Sequence, residues 1–331
     1  MAGAILLTHK DMAPLREDLA SMDGALKAVE DAVVANFKGD VRQGNIVDRR
    51  PGEFEGIRLA LLAGDETLSG LRIFGNPPHT RAFMLFDGET REMRALLDYG
   101  VLNSLRVGAI AGVAAKHLAP KGARTLGLVG SGWQAPPQVA AMCRGVPSLE
   151  RIKVFSPTQA NRESFAHRMT GWLGIPVDPV GSVQEALDGA DIVDLCAPGH
   201  FDVREPLYEP DWVKPGAVVV AMAANQSPEA FVAGARVVAN RPNDPMTGIG
   251  RIEPYGALLR DGRLKAEDVT ELGAVIVEGA NPRRSAEDSV VFHLEGGTAH
   301  DLFVATWGYE WALERGLGTP FNLREGEPEA H

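Results

Sequence analysis

The segment with the clearest chemical pattern reads Gly130-Ser131-Gly132-Trp133-Gln134-Ala135. It follows an apolar run over residues 126–129, which predicts a buried strand, and it precedes a predicted helix over residues 134–143. Gly130 permits a tight turn, Gly132 lets the backbone approach a pyrophosphate, and the small Ala135 lets the helix pack close to the strand. The N–H groups and positive dipole end of that helix would then bind the phosphates. This context predicts a dinucleotide-binding loop.

The end of the second predicted strand, residues 151–155, bears on which nicotinamide cofactor is bound. NAD sites usually place Asp or Glu there, about 20 residues past the loop, to bind the ribose 2′-hydroxyl. Here no acidic residue occurs before Glu163. Ser156 and Thr158 can instead donate to a 2′-phosphate, and Arg162 can pair with it. We therefore expect NADP(H) to be favoured over NAD(H), unless Arg162 only covers the solvated face of its helix.

Predicted strands and helices alternate throughout the region that contains this loop. Helices are predicted over residues 160–173 and 183–187, and the buried strands are predicted over residues 126–129, 151–155, 191–196, 217–222, 235–239 and 274–277. Such alternation is typical of a parallel sheet with helices on both faces. The predicted fold class is therefore α/β, with a doubly wound Rossmann sheet.

The first 120 residues follow a different pattern. They combine predicted strands over residues 4–8, 57–62, 70–74 and 82–87 with two helices. The first helix is capped at Ser21 or Asp23 and has apolar residues at helical spacing from Leu26 to Phe37, and the second covers residues 102–118. Pro120-Lys121-Gly122 breaks the chain, and a last helix is predicted over residues 298–315. We expect this last helix to return to the first domain. The prediction is a split α+β domain of residues 1–120 and 300–331, with a Rossmann domain over residues 121–299.

Composition and charge narrow the function classes. The chain has 331 residues, a formal net charge of −11 and no cluster of Lys and Arg, so nucleic-acid binding is not expected. Its two cysteines lack metal-ligand spacing and are expected to be buried thiols. No apolar segment reaches the roughly 18 residues of a membrane span, and no signal sequence is evident. We expect a cytoplasmic protein without a catalytic metal.

Five stretches of the chain match the motifs of one family in content and order. They read SMDGALKAVEDA from Ser21, LNSLRVGA from Leu102, GSGWQA from Gly130, GTAHDL from Gly297 and ERGLG from Glu314. By these motifs the chain resembles the ornithine cyclodeaminase/μ-crystallin family over nearly its whole length. The resemblance implies a homodimer, and a first domain that binds substrate and dimerises. It also implies hydride transfer at the α-carbon of an amino or imino acid.

The resemblance further implies an active site with two arginines, a lysine and an aspartate. Arg106 matches the arginine of the helix motif, and its planar guanidinium is expected to bind a substrate carboxylate. The other arginine maps to Arg50, or to Arg49 beside it. Arg72 stands where the lysine is expected, in the strand Gly70-Leu71-Arg72-Ile73.

The expected aspartate is also replaced, by Asn225, and nearby Ala223 is a further predicted cofactor contact. Arginine cannot exchange a proton at neutral pH, since its pKa exceeds about 12, and asparagine cannot act as a general base. A cyclodeaminase needs several proton transfers, whereas a reductase needs a hydride and one proton. The two replacements therefore disfavour cyclodeamination. They leave carboxylate binding intact, so we expect Arg72 and Arg106 to hold the carboxylate of an anionic substrate.

The proton donor is left open by the sequence. His79 lies in a loop, residues 76–80, that follows the strand of Arg72, and histidine titrates near neutral pH. His200, Tyr99 and His300 are weaker candidates. The favoured hypothesis is an NADPH-dependent imine or ketimine reductase, or an amino-acid dehydrogenase. The alternatives are a cyclodeaminase-type ammonia lyase with bound NAD, and a non-catalytic μ-crystallin-like protein that binds a small ligand.

Overall fold

The structure, a computed structural model, describes residues 3–41, 68–73, 81–197, 205–242 and 248–323. The chain divides into two units, the first formed by residues 1–18, 38–103 and 298–331, and the second by residues 19–37 and 104–297. The sequence pattern predicts the division near Pro120. In the structure the change of unit falls inside one helix, between Asn103 and Ser104.

The described residues form strands and helices that we number in chain order. The strands are β1 (Ala4–Leu7), β2 (Leu68–Ile73), β3 (Ala82–Asp87), β4 (Met93–Asp98), β5 (Thr125–Val129), β6 (Arg151–Phe155), β7 (Val177–Pro179), β8 (Ile192–Leu195), β9 (Val218–Ala221), β10 (Arg236–Ala239), β11 (Thr270–Glu271), β12 (Val290–His293) and β13 (Thr319–Phe321). The helices are α1 (His9–Met12), α2 (Pro14–Glu17), α3 (Ser21–Lys38), α4 (Gly100–Leu118), α5 (Ala135–Gly145), α6 (Gln159–Leu173), α7 (Val183–Leu187), α8 (Glu229–Gly234), α9 (Tyr255–Arg260), α10 (Leu272–Glu278) and α11 (Thr298–Glu314). Among these helices none has the length and apolar character needed to cross a bilayer.

The first unit is built on a five-stranded sheet in the order β13-β1-β4-β3-β2. β1 runs parallel to β4, whereas the other neighbouring strands are antiparallel. Burial alternates along β3, where Phe83, Leu85 and Asp87 lie on the covered face, as expected for a sheet with one face on a core. Helix α11 packs across β2, β3 and β4. It therefore lies against the strand that carries Arg72.

The second unit is built on an eight-stranded parallel sheet in the order β11-β10-β12-β9-β8-β5-β6-β7. Strands β8, β9 and β12 are buried along their whole length, which explains their continuous apolar sequences. The strand order reverses between β5 and β8. In such sheets ligands bind beyond the carboxyl ends of the strands at the point of reversal. The predicted α/β Rossmann fold is confirmed.

Two glycines of α4 let this helix pack closely against α5. A Cβ at Gly108 would lie 2.5 Å from the carbonyl oxygen of Pro137, and a Cβ at Gly112 would lie 2.7 Å from the Cβ of Ala141. Both distances are shorter than side chains tolerate, so the helix–helix contact requires glycine. Arg106 precedes Gly108 by two positions. Its place relative to the helix that follows the dinucleotide loop is therefore fixed by this packing.

The strand predicted over residues 274–277 is wrong, because these residues belong to helix α10. Their side chains are only partly covered, and Val277 is 40% exposed. The helix packs instead through its first turn, where a Cβ at Gly273 would lie 2.4 Å from the Cβ of Phe37. Gly279, with φ of +71°, ends it. A run of β-branched residues thus predicted a strand where one-sided packing favours a helix.

Several described strands were not predicted from the sequence, among them β4 and β12. β12 lies between β9 and β10 in the parallel sheet. The strand predicted over residues 57–62 lies outside the described residues.

Candidate functional site

Gly130 opens the turn between β5 and α5. Its φ of +114° lies in the region that favours glycine, and its N–H donates to the carbonyl oxygen of Phe155, 2.8 Å away, at the end of β6. A Cβ at this position would lie only 2.5 Å from the carbonyl oxygen of Cys196. Gly130 is therefore required for two reasons, its backbone conformation and its close approach to the segment after β8.

The start of α5 lies directly behind this turn. The helix begins at the fully buried Ala135, and Gln134 occupies the N-cap position. A Cβ at Gly132 would meet no protein atom within 4 Å, so packing inside the protein does not require glycine there. A ligand that approaches the backbone does require it. With the amide groups of the helix N-terminus and the 57% exposed Trp133, the loop fits a nicotinamide dinucleotide.

The end of β6 brings several predicted cofactor residues together. The Ser131 hydroxyl donates to the Ser156 hydroxyl at 2.9 Å, and Nη1 of Arg162 donates to the Ser156 carbonyl oxygen at 3.1 Å. The Arg162 guanidinium also lies 5.8 Å from the centre of the Phe155 ring. Ser156 is buried, whereas Thr158 is exposed at the N-cap of α6. The Arg162 guanidinium and the residues Ser156 and Thr158, which carry hydroxyl groups, therefore lie at the end of β6, beside the dinucleotide loop.

Arg106 is held at the carboxyl end of β12. Arg106 is buried, and a Cβ at Gly296 would lie 1.8 Å from its Nη1. Gly296 thus leaves the space that the guanidinium fills. Because Gly296 lies three residues beyond the end of β12, Arg106 sits at the edge of the sheet where ligands of this fold class bind.

Asn225 follows β9 at the same edge of the sheet. Its φ of +57° is in the left-handed region, which asparagine tolerates better than most residues. Its N–H donates to the carbonyl oxygen of Glu253 at 2.7 Å. The next residue, Gln226, is buried and accepts the N–H of Ala223 through Oε1 at 2.9 Å. The segment that carries two predicted site residues is therefore a tightly bonded turn.

Arg72 lies in a buried polar network within the first unit. Its Nη1 donates to Oδ2 of Asp301 at 2.7 Å, and its Nη2 donates to Oδ1 of Asn103 at 2.9 Å. Tyr99 donates its hydroxyl proton to Oδ1 of Asp301 at 3.0 Å, and its ring centre lies 5.0 Å from the guanidinium carbon. The network brings together strand β2 and helices α4 and α11, and it uses a carboxylate that the sequence analysis did not assign to the site.

The charge of Arg72 is therefore balanced inside the protein. Burial by itself would lower the pKa of Arg72, but the Asp301 carboxylate outweighs this effect and holds the pKa above its usual value. Arg72 is therefore a cation at neutral pH. It cannot take the proton-transferring part that a lysine in the same strand could take.

A second buried acidic residue lies in the parallel sheet. Asp194 of β8 is completely buried, and burial raises the pKa of its carboxyl group to about 8. With its amide nitrogen toward the strand, the side chain of Gln138 donates to both carboxyl oxygens, at 2.9 and 3.1 Å. The pair joins the helix of the dinucleotide loop to the strand beside β5. An acidic residue within the apolar run Ile192–Leu195 was the sequence signal for it.

The remaining predicted residues divide into two groups. Arg50 and His79 lie outside the described residues, as does His200. Tyr99 and His300 are buried in the first unit, where Tyr99 hydrogen-bonds to Asp301. The proton donor is thus not identified among the described candidates.

The model of the ornithine cyclodeaminase/μ-crystallin family matches residues 69–316. Among curated proteins, the chain is 30% identical to a Δ(1)-pyrroline-2-carboxylate reductase of Bacillus cereus, with 71% of this chain and 72% of that protein covered. It is 29% identical to the ketimine reductase μ-crystallin of Rattus norvegicus, with 71% and 70% covered. The structure of the Thermococcus litoralis Δ(1)-pyrroline-2-carboxylate reductase, in complex with NADH and L-proline, superposes with a TM-score of 0.81. The sequences of the two chains are 23% identical, and the superposition covers 96% of this chain and 100% of the Thermococcus litoralis chain.

Proposed function

Because the chain belongs to the ornithine cyclodeaminase/μ-crystallin family, we propose that it reduces the C=N bond of a small imino acid with a reduced nicotinamide cofactor. The observation that carries the proposal is the turn at Gly130 and Gly132, which meets the requirements of a dinucleotide site. The names of its relatives, pyrroline-2-carboxylate and ketimine reductases, agree with this reaction class.

Arg106 is the residue that we propose binds the substrate carboxylate. Its guanidinium is fixed by α4 and by the space at Gly296, and it lies at the carboxyl edge of the sheet, where the substrate must meet the cofactor. Two parallel N–H groups of a guanidinium match the two oxygens of a carboxylate. A bound reduced nicotinamide would supply a hydride, and Arg106 would orient the imine carbon through the neighbouring carboxylate.

Arg72 and Asn225 have more limited parts in this proposal. That Arg72 also contacts the substrate carboxylate stays a prediction, and its ion pair with Asp301 reduces the charge it could offer. Asn225 can donate or accept a hydrogen bond at the edge that holds the cofactor. Neither residue can give up a proton at neutral pH, so the imine nitrogen would take its proton from water or from another side chain.

The cofactor preference that we propose is for NADPH. Arg162 is anchored on the Ser156 carbonyl beside the end of β6, the position from which an arginine reaches a 2′-phosphate. No Asp or Glu occupies the end of this strand to bind a 2′-hydroxyl. Both features support discrimination in favour of the phosphorylated cofactor.

Three wider features are part of the same proposal. The substrate would be anionic, because arginine is the cation that we place at it. The assembly would be a homodimer, as the family resemblance implies, which light scattering after gel filtration tests directly. The enzyme would work in the cytoplasm, where reduced nicotinamide is available.

The experiment that tests the function is a paired titration of the purified protein with NADPH and NADH, followed by nicotinamide fluorescence. Cyclic and linear imino acids are then added to the complex. Tighter binding of NADPH, followed by its oxidation with an imino acid, is the expected result. Ammonia release from a diamino acid without net oxidation would instead indicate a cyclodeaminase. Binding without turnover across the panel would indicate a ligand-binding protein.

A further inference from the structure

Gln226 uses both ends of its side-chain amide to join separate segments of the second unit. Its Oε1 accepts the N–H of Ala223 at 2.9 Å, and its Nε2 donates to the carbonyl oxygen of Ala197 at 2.9 Å. Its own carbonyl oxygen accepts the N–H of Leu207 at 3.0 Å. Only 1% of the residue is exposed. One buried side chain therefore ties the segment after β9 to the segment after β8.

The segment after β8 is also the surface on which the dinucleotide turn rests. A Cβ at Gly130 would lie 2.5 Å from the carbonyl oxygen of Cys196 and 2.9 Å from the nitrogen of Ala197. The Cys196–Ala197 peptide thus touches the turn with no space between them. Any displacement of Ala197 would move the support of the turn at Gly130.

The segment after β9 holds a conformation that needs outside support. Asn225 has φ of +57°, and a left-handed residue other than glycine persists only when its surroundings hold it. Two contacts do so, the bond from the Asn225 N–H to the Glu253 carbonyl and the bond from the Ala223 N–H to Gln226. The second contact closes the turn from within.

We propose that Gln226 is a positioning residue for the reaction. It keeps the turn at Gly130 and the turn at Asn225 in a fixed relation at the edge of the sheet that would hold the cofactor, without itself touching substrate or cofactor. The inference rests on the proposed function. Only glutamine has the length, the acceptor and the donor that the two contacts require: glutamate lacks the donor for Ala197, and methionine lacks both groups.

The test compares wild type with Gln226→Met and Gln226→Glu, and with Gln184→Met as a matched control. Gln184 is exposed on helix α7 and belongs to none of the proposed sites. For Gln226→Met we expect a rise of roughly tenfold in the Kd for NADPH and a fall of roughly tenfold in kcat, because a small displacement of the two turns misaligns the bound reactants. With C4-deuterated cofactor its isotope effect should rise, since poor alignment slows hydride transfer. Gln226→Glu keeps the acceptor for Ala223, which closes the turn at Asn225, but loses the donor for Ala197, which supports the turn at Gly130. Its cofactor affinity should therefore fall more than its kcat.

Thermal unfolding of each variant separates positioning from stability. A lower melting temperature with wild-type Kd, kcat and isotope effect would overturn the proposal, and so would variants that match Gln184→Met throughout. Should Gln226→Met fail to fold, Gln226→Glu decides by the same readouts. If wild type itself binds neither cofactor, the proposed function fails. If wild type binds NADPH without a known substrate, the Kd comparison still tests Gln226.

Discussion

The guanidinium of Arg72 and the carboxylate of Asp301 form a buried ion pair, with Nη1 and Oδ2 2.7 Å apart and side chains that are 7% and 3% exposed. The pair joins strand β2 to helix α11 across 229 residues of sequence. Gly70, on the same face of β2, leaves space for the ring of Phe83, since a Cβ there would lie 2.3 Å from that ring. The positive charge of Arg72 is therefore balanced by a carboxylate of the same chain, which reduces the charge that Arg72 could offer to a substrate.

Asp301→Asn should strongly destabilise the protein. The substitution leaves the buried Arg72 cation without its carboxylate, and breaking a buried pair in this way typically costs about 3–5 kcal/mol. Denaturant unfolding monitored by circular dichroism measures the change in the free energy of unfolding. Asp178→Asn is the control, because it breaks the exposed pair with Arg151 and should cost about 1 kcal/mol or less. Equal losses in the two variants would show that burial of the Arg72–Asp301 pair is energetically unimportant.

Gly296→Ala should impair substrate binding while sparing cofactor binding. The new Cβ would overlap Nη1 of Arg106 and displace the guanidinium. Because charge-assisted hydrogen bonds contribute about 1.5–3 kcal/mol, KM for an imino acid should rise roughly tenfold to a hundredfold. The Kd for NADPH should stay within about twofold. Gly234→Ala serves as the control, since a Cβ there meets nothing within 4 Å. An unchanged KM in Gly296→Ala would argue against Arg106 as the carboxylate-binding residue.

Arg162→Ala should weaken NADPH binding and leave NADH binding unchanged. Loss of one charge-assisted contact with the 2′-phosphate predicts a rise of roughly tenfold to a hundredfold in the Kd for NADPH. Fluorescence titration with each cofactor gives the ratio. Arg168→Ala removes the same charge from the exposed surface of α6 and controls for long-range electrostatics. A parallel loss of affinity for both cofactors in Arg162→Ala would mean that Arg162 does not read the 2′-phosphate.

Asp194→Asn should reduce the loss of stability that accompanies a rise in pH from about 4 to about 8. The carboxyl group titrates near pH 3.9 in an unfolded chain, but burial raises its pKa to about 8 in the folded protein. Between pH 4 and pH 8 the Asp194 carboxyl group is ionised in the unfolded chain but protonated in the folded protein. Its contribution to the free energy of unfolding is therefore complete below about pH 4 and is lost as pH rises to about 8. The slope is at most about 1.4 kcal/mol per pH unit.

Unfolding free energies at pH 5 and pH 8 test this effect. The loss on going to pH 8 should be smaller in Asp194→Asn than in wild type, because asparagine keeps an acceptor for Gln138 and has no proton to lose. Asp188→Asn, with an 83% exposed side chain, should follow wild type. A pH dependence shared by all three proteins would mean that Asp194 is not protonated in the folded state.

Local patterns in the sequence predicted much of the fold. The loop at residues 130–135 was predicted because a strand, two glycines and a helix start are adjacent in sequence, and each position has its own requirement. Strand β6 was predicted with the bounds that it has in the structure. Helix α10 was mispredicted because β-branched propensity is weak beside packing, here against Phe37.

The contacts that organise the site could not be read from neighbouring residues. Asp301 was noticed only within a family motif, and nothing local paired it with Arg72. Gln226 showed no signal, since its two partners are backbone groups that only the folded chain brings near. Asp194 had the one visible signal, a carboxyl group within a buried strand, and its partner Gln138 lies on another element. Tertiary pairing of this kind needs the three-dimensional structure.

The measurement that tests the central claim most directly follows the hydride itself. The protein is incubated with NADPH deuterated at C4 on either face and with a five-membered cyclic imino carboxylate, and the product is analysed by mass spectrometry. An imine reductase predicts an amino acid with one deuterium at the α-carbon from one of the two labelled cofactors, and oxidised cofactor in equal amount. Unlabelled product, or no product although NADPH is bound, would contradict the account.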